Sequence, residues 1–230
     1  MTLALALKVF LVLAALLMLQ SLIALRDGYR FLGFVRRRLR KAPGEFTPLA
    51  SVIIPSKDFD PAFDENLRAF LTQDYPAYQL VFTVASERDP AHARLAEKLR
   101  SAPGTVPQTT LVVAGHAEGR GEKVNNLLRG LEAVHPAAAV LAFADIDARP
   151  GRDWLRSLVA PLEDPKVTVS SGFRWYLPGQ GFVSQLRAAW DTSIATLLGD
   201  HDHNFAWGGS MAIRSVEFRR LQVAERYWAH

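Results

Sequence analysis

Val140-Leu141-Ala142-Phe143-Ala144-Asp145-Ile146-Asp147 places five apolar residues directly before two carboxylates that are separated by one residue. An apolar run this short, with no room for several helical turns, reads as a strand buried on both faces. Strands of that kind belong to largely parallel sheets covered by helices on each side. In such sheets ligands bind beyond the carboxyl ends of the strands. Asp145 and Asp147 stand at such an end.

The neighbouring sequence repeats the alternation. Upstream, residues 122–134 have helical spacing, with Val124, Leu127, Leu128 and Leu131 on one face. Before that come a strand at 109–114, a helix at 90–99 with Pro90 in its first turn, and a strand at 79–85. A helix at 62–72 carries Phe63, Leu67, Phe70 and Leu71, and the series opens with Ala50-Ser51-Val52-Ile53-Ile54-Pro55. Downstream, 154–162 is helical and 167–170 strand-like. From Gly179 the alternation weakens into a longer helix at 182–198, a polar loop at 199–204 and a mixed segment FAWGGSMAIR. Strands and helices of these lengths, taken in turn, predict an α/β fold with right-handed crossovers.

The amino-terminal part is different in kind. Residues 3–25 are apolar apart from Lys8, Gln20 and Ser21 and are long enough to cross the roughly 30 Å of bilayer hydrocarbon as a helix. Lys8 lies near the outer end, where its ammonium can snorkel to the interface. Arg36, Arg37, Arg38, Arg40 and Lys41 follow the run, whereas a cleavable signal peptide carries its positive charge before it. The positive-inside rule then predicts a retained anchor with the folded part cytoplasmic. Residues 1–25 read as the anchor, 26–48 as a basic juxtamembrane linker and 49–230 as the folded domain. The net charge of +4 is explained by this cluster, which suits anionic lipid. No second basic stripe interleaved with aromatics follows, so nucleic acid is not an expected partner. The chain has no cysteine, which excludes disulfides, thiolate metal sites and cysteine nucleophiles.

Several residues have two readings. Asp145 and Asp147 can share one Mg²⁺ or Mn²⁺ with phosphate oxygens, or they can cap the next helix from a solvated turn. Asp89 suits a helix N-cap before Pro90, and it also stands after a strand. Lys123 opens a helix against the macrodipole, which suggests an anionic partner, although an exposed lysine is as good a reading. Lys57, after the first strand, is read in the same way. Gly208-Gly209-Ser210 permits close backbone approach to a ligand or simply bends a strand. Asp200-His201-Asp202-His203 lacks the spacing of zinc sites and reads as a solvated loop. Neither a Ser/His/Asp signature nor a Walker-type loop is present.

Taken in order, these motifs resemble the lipid-directed and processive family-two-type glycosyltransferases, above all the ceramide glucosyltransferase-like and hopanoid-type members. The resemblance runs through Pro55-Ser56-Lys57-Asp58-Phe59-Asp60-Pro61, Glu65-Asn66-Leu67, Gln73-Asp74-Tyr75-Pro76, Asp89-Pro90, Lys123-Val124-Asn125-Asn126, Asp145 and Gly208-Gly209-Ser210-Met211. It implies a Rossmann-like GT-A fold behind one transmembrane helix. It also implies a hexose, glucose in the first instance, moved with inversion from a UDP-sugar to a ceramide- or hopanoid-like lipid alcohol. By the same resemblance Pro55, Lys57, Asp60, Asp89, Lys123 and Asp145 bind the donor, and Asp145 and Asp147 hold a divalent metal (Mg²⁺ or Mn²⁺). Gly208, Gly209 and Ser210 line the acceptor side. The family's catalytic base and Arg-Trp motif are expected beyond His230, since Arg174-Trp175 is in the wrong place. The domain is therefore expected to be incomplete at its carboxyl end and inactive alone. A catalytically inactive membrane-tethered nucleotide-binding module and a piece of a processive polysaccharide synthase are the alternatives.

Overall fold

A computed structural model describes residues 3–40, 44–58, 61–101, 107–199 and 204–226. Its elements are α1 (Leu3–Leu39), β1 (Ala50–Pro55), α2 (Phe63–Leu71), β2 (Tyr78–Val84), α3 (Pro90–Ser101), β3 (Gln108–Val113), α4 (Glu122–Leu131) and β4 (Val140–Ala144). They continue with α5 (Trp154–Val159), a 3-10 turn (Ala160–Glu163), β5 (Val169–Ser171), α6 (Phe182–Ala195), β6 (Ser210–Arg214), α7 (Ser215–Arg220) and α8 (Val223–Arg226). The chain divides into two compact units.

One unit comprises the described residues of Met1–Ala42 and Arg174–Phe205 and holds α1 and α6. α1 has 37 residues, so it is about 55 Å long. It is long and apolar enough to cross a membrane. The helix does not stop at residue 25. Residues 26–39, expected as the start of a linker, continue it, because arginine and leucine are good helix formers and no proline intervenes, Gly28 and Gly33 being tolerated within the helix. Arg36, Arg37 and Arg38 in its last turn also suit the negative end of the macrodipole.

The other unit comprises the described residues of Pro43–Phe173 and Ala206–His230 and holds the sheet. Strand order is β3-β2-β1-β4-β6-β5. β3, β2, β1 and β4 are parallel, as the alternation predicts. β6 runs antiparallel to β4 and β5 antiparallel to β6, so the sheet is mixed, not wholly parallel. Order reverses between β1 and β4, the place where open α/β sheets generally bind ligands beyond the carboxyl ends of their strands.

Side chains alternate between two cores. Val52, Ile54, Leu80, Phe82 and Ala142 face one side with Phe63, Leu67, Phe70, Leu155 and Leu158. Ile53, Val81, Leu141 and Phe143 face the other with Leu127, Ile213 and Phe218. Burying each large apolar side chain contributes about 1.5–3 kcal/mol. A buried polar node explains the glutamine at the start of β2. Gln79 Oε1 accepts from Ser51 Oγ (2.7 Å) and from the His135 amide (2.7 Å), and its Nε2 donates to the Ala133 carbonyl (3.0 Å). β1, β2 and the exit of α4 are thereby held together.

α4 lies very close to the sheet at Gly130. A Cβ there would stand 2.6 Å from Ile53 Cγ2 and 3.0 Å from Thr83 Cγ2, both buried. Gly130→Ala is expected to destabilise the sheet unit by about 1–3 kcal/mol through overpacking, although alanine favours helix. Denaturant unfolding followed by circular dichroism checks it; unchanged or increased stability would show that α4 can lift off the sheet at no cost.

Candidate functional site

Five segments meet beyond the carboxyl ends of the parallel strands. β4 ends at Ala144, and the Asp145 amide donates to the Gly209 carbonyl just before β6 (3.3 Å). The Ala148 amide donates to the Asp145 carbonyl (3.1 Å), turning the chain directly after the strand. Asp145 is half-buried and pairs with Lys123 at the start of α4. Asp147 is exposed on the same turn. The Lys123 partner anticipated from its position against the helix dipole is thus a carboxylate of the chain itself.

The remaining contacts extend from that pair. Glu122, next to Lys123, accepts from Lys57 Nζ at 3.2 Å. This carboxylate holds the Lys57 ammonium above its ordinary pKa, through a hydrogen bond and its charge. The neighbouring Asp58 donates its amide to Asp89 Oδ1 (2.9 Å). The same oxygen accepts from the Ala91 amide (2.9 Å), so Asp89 does cap α3 and also clips the loop after β1. Asp58 has a positive φ of 49°, a conformation that costs free energy in a non-glycine residue and that this clip helps hold. Pro55 ends β1, paired with Thr83. Asp60 lies outside the described residues, as does the 200–203 loop.

The Asp145–Asp147 turn is braced by motif residues singled out above. Arg149 reaches back to α2, pairing with Glu65 Oε2 (2.5 Å) and donating to Asn66 Oδ1 (3.3 Å). Gln73 donates to the Gly151 carbonyl (2.9 Å) and accepts from the Leu155 amide (3.0 Å), fixing the entry to α5. Tyr75 donates its hydroxyl to the Pro48 carbonyl (2.6 Å).

On the β6 side, Gly209 has a specific reason to be glycine. A Cβ there would stand 2.7 Å from Asp145 Oδ2 and 3.3 Å from Trp207 Nε1. Ser210 Oγ accepts from Trp154 Nε1 (3.0 Å), and the Gly172 amide donates to the Ser210 carbonyl (2.8 Å). The Trp207 amide donates to Ser171 Oγ (2.7 Å), and its ring meets Phe173 edge-on at 5.2 Å. Gly208 is exposed on the turn before them. Sequence reading did not single out Glu122, Trp154, Gly172 or Trp207. Only Gly172 left a signal: it follows a strand-like run, and a side chain there would collide with Ser210 Oγ.

The site therefore contains one half-buried carboxylate with a lysine on it, a second carboxylate two residues on, and a further lysine and carboxylate on the flanking loops. Among the described residues no cluster of three or more histidine or acidic side chains stands ready to hold a metal. Two carboxylates with only oxygen donors fit a magnesium- or manganese-type cation that takes its other ligands from phosphate and water. Asp89 separates scaffold from ligand chemistry. Asp89→Ala is expected to lose about 1–2 kcal/mol of stability with the α3 cap, while Asp89→Asn keeps an acceptor oxygen and recovers most of it. Chemical unfolding of both variants checks this; equal losses would mean that the carboxylate charge, not the cap, holds the loop.

Two solved structures are similar to this chain. A mannosyltransferase from Pyrobaculum calidifontis, solved with GDP-mannose and Mn²⁺, is 21% identical with a TM-score of 0.58 over 90% of this chain and 57% of its own. Glucosyl-3-phosphoglycerate synthase from Mycobacterium tuberculosis, solved with Mn²⁺ and UDP-glucose, is 18% identical with a TM-score of 0.47 over 73% of this chain and 56% of its own. The chain thus spans little more than half the length of either protein. The mannosyltransferase match shows a GT-A-like fold, as the mixed sheet and its reversal suggest. The sequence pattern of glycosyl transferase family 21 matches residues 10–220, from within α1 to the end of α7, and the chain belongs to that family.

Proposed function

We propose that this chain carries the donor site of a membrane-anchored enzyme that moves a hexose, glucose in the first instance, from a UDP-sugar to a lipid alcohol of ceramide or hopanoid type, with inversion. The observation that carries the reading is the Lys123–Asp145 pair at the reversal of strand order, with Gly209 leaving space for the carboxylate. Family membership supports transfer from a nucleotide sugar. The long apolar α1, with arginines in its last turn, supports a membrane anchor with the sheet unit on the cytoplasmic side.

In this reading Asp145 and Asp147 hold a divalent cation, Mg²⁺ or Mn²⁺. When bound, that cation neutralises charge on the diphosphate as the bond to the sugar breaks. Lys123 exchanges its carboxylate partner for a phosphate oxygen and adds a point charge on the leaving group. Asp89 and the Pro55–Lys57 end of β1, with Asp60 beyond them, hold the nucleoside. Gly208, Gly209 and Ser210 form the acceptor side. Direct displacement also needs a base for the acceptor proton, a role assigned to none of these residues.

The test is calorimetric titration of the full chain with UDP, with and without Mn²⁺. Asp145→Ala is expected to remove the metal-dependent part of the affinity, and Lys123→Ala to weaken binding roughly tenfold, about 1.4 kcal/mol. Gly209→Ala, whose Cβ would press on the Asp145 carboxylate and on no backbone atom, is expected to weaken metal-dependent binding more than it lowers the unfolding midpoint. Metal-dependent UDP binding that survives Asp145→Ala would place the site elsewhere. Glucosyl transfer to ceramide or hopanoid acceptors in a radiolabel assay would exclude a mere nucleotide-binding module.

A further inference from the structure

α6 is built inside out. Wound at 3.6 residues per turn, Phe182, Val183, Leu186 and Trp190 fall on one stripe roughly 100° wide. That stripe is exposed, with Phe182 76% and Trp190 72% accessible. The opposite face carries Asp191 and Ala195, and these are the two buried residues of the helix. Asp191 accepts from the Tyr176 amide at 3.3 Å. A helix in water buries its apolar stripe and exposes its charges. The reverse arrangement marks a face made for an apolar surrounding.

The same unit indicates which surrounding. Both ends of the 174–205 excursion meet α1 just past its apolar run. The Trp175 ring lies 6.0 Å from Phe31, and Leu197, Leu198 and Phe205 share a hollow with Asp27, Phe31 and Phe34. Phe31 is six residues beyond residue 25, about 9 Å along the helix. The polar headgroup layer on each side of the hydrocarbon core is roughly 5–8 Å thick. Phe31 thus falls at the outer edge of that layer, and an α1 that spans a bilayer brings α6 beside the bilayer surface. Arg187 stacks over the Tyr176 ring at 4.1 Å, and Arg30 also lines the hollow, so cations lie within reach of anionic headgroups.

Resting on the reading of α1 as a membrane anchor, we propose that α6 is an interfacial helix whose Phe182–Val183–Leu186–Trp190 face lies in the bilayer surface. Tryptophan and phenylalanine on such a face sit at the headgroup–acyl boundary while the polar face stays wet or packed on protein. In this chain the face of Ser184, Ala188, Asp191 and Ala195 is the packed one, and Gln185, Arg187 and Thr192 stay exposed.

Because the chain has no cysteine, single-cysteine spin labels read one position each. The full chain is reconstituted in phosphatidylcholine–phosphatidylglycerol vesicles and labelled at Leu186→Cys, Trp190→Cys, the off-stripe control Gln185→Cys and the anchor control Leu16→Cys. The readout is collision with lipid-soluble oxygen against a water-soluble nickel complex. The oxygen-to-nickel ratio is expected to be several-fold higher at 186 and 190 than at 185, and highest at 16. If 16 reads as lipid while 186 and 190 read as water, the anchor stands and the interfacial helix is wrong. Shielding of 186 and 190 from both reagents would mean that protein covers the stripe, and overturns the proposal. A water reading at 16 overturns the anchor, and the interfacial helix with it.

Discussion

The point at which β4 stops governs the site. Its five residues are buried and have neighbours on both sides, β1 in parallel and β6 antiparallel. No charged side chain can enter that strand without losing its solvation in two packed cores. The first carboxylate therefore appears one residue after the last buried position, at the crevice where strand order reverses. Asp145 has its backbone hydrogen-bonded toward β6 and its side chain paired toward α4.

Much around that carboxylate serves to hold it. Glu65 and Asn66 fix Arg149, Gln73 fixes the start of α5, and Asp89 uses one oxygen to cap α3 and tie down the loop after β1. These residues are far apart in sequence and near a single turn in space. Their roles as scaffold and as ligand-binding groups are not exclusive: a preorganised site needs its first contacts locked by a second set. The Lys123–Asp145 pair adds an electrostatic balance that an incoming diphosphate with its cation is suited to replace.

How much was legible in the sequence follows from how local each signal is. β4 and β1 were readable to the residue, because buried central strands are short uninterrupted apolar runs with sharp ends. β2, α3, β3 and α4 shift by one to three residues at their ends, where helices fray and strand pairing decides the last residue. β6 was readable only as one alternative, a bent strand, and not delimited. Ser210-Met211-Ala212-Ile213-Arg214 is short, follows two glycines and gains its strand character only from pairing with β4, about 70 residues earlier. The helical course of residues 26–39 was hidden behind their charge, which sets topology but does not interrupt a helix. At the site, the acidic pair and the two lysines were visible as residue types at element ends. Their partners, Glu122 for Lys57 and Asp145 for Lys123, were not, since those contacts come from the fold and not from spacing.

The central claim is that the end of β4 is where a divalent cation and a nucleoside diphosphate meet. Crystals of the chain grown with UDP and Mn²⁺, measured at the manganese absorption edge, test it most directly. The account predicts one anomalous peak in coordination distance of the Asp145 or Asp147 carboxylates and the β-phosphate, with Lys123 turned to phosphate. A manganese peak remote from both aspartates, with UDP bound and the Lys123–Asp145 pair intact, would contradict it.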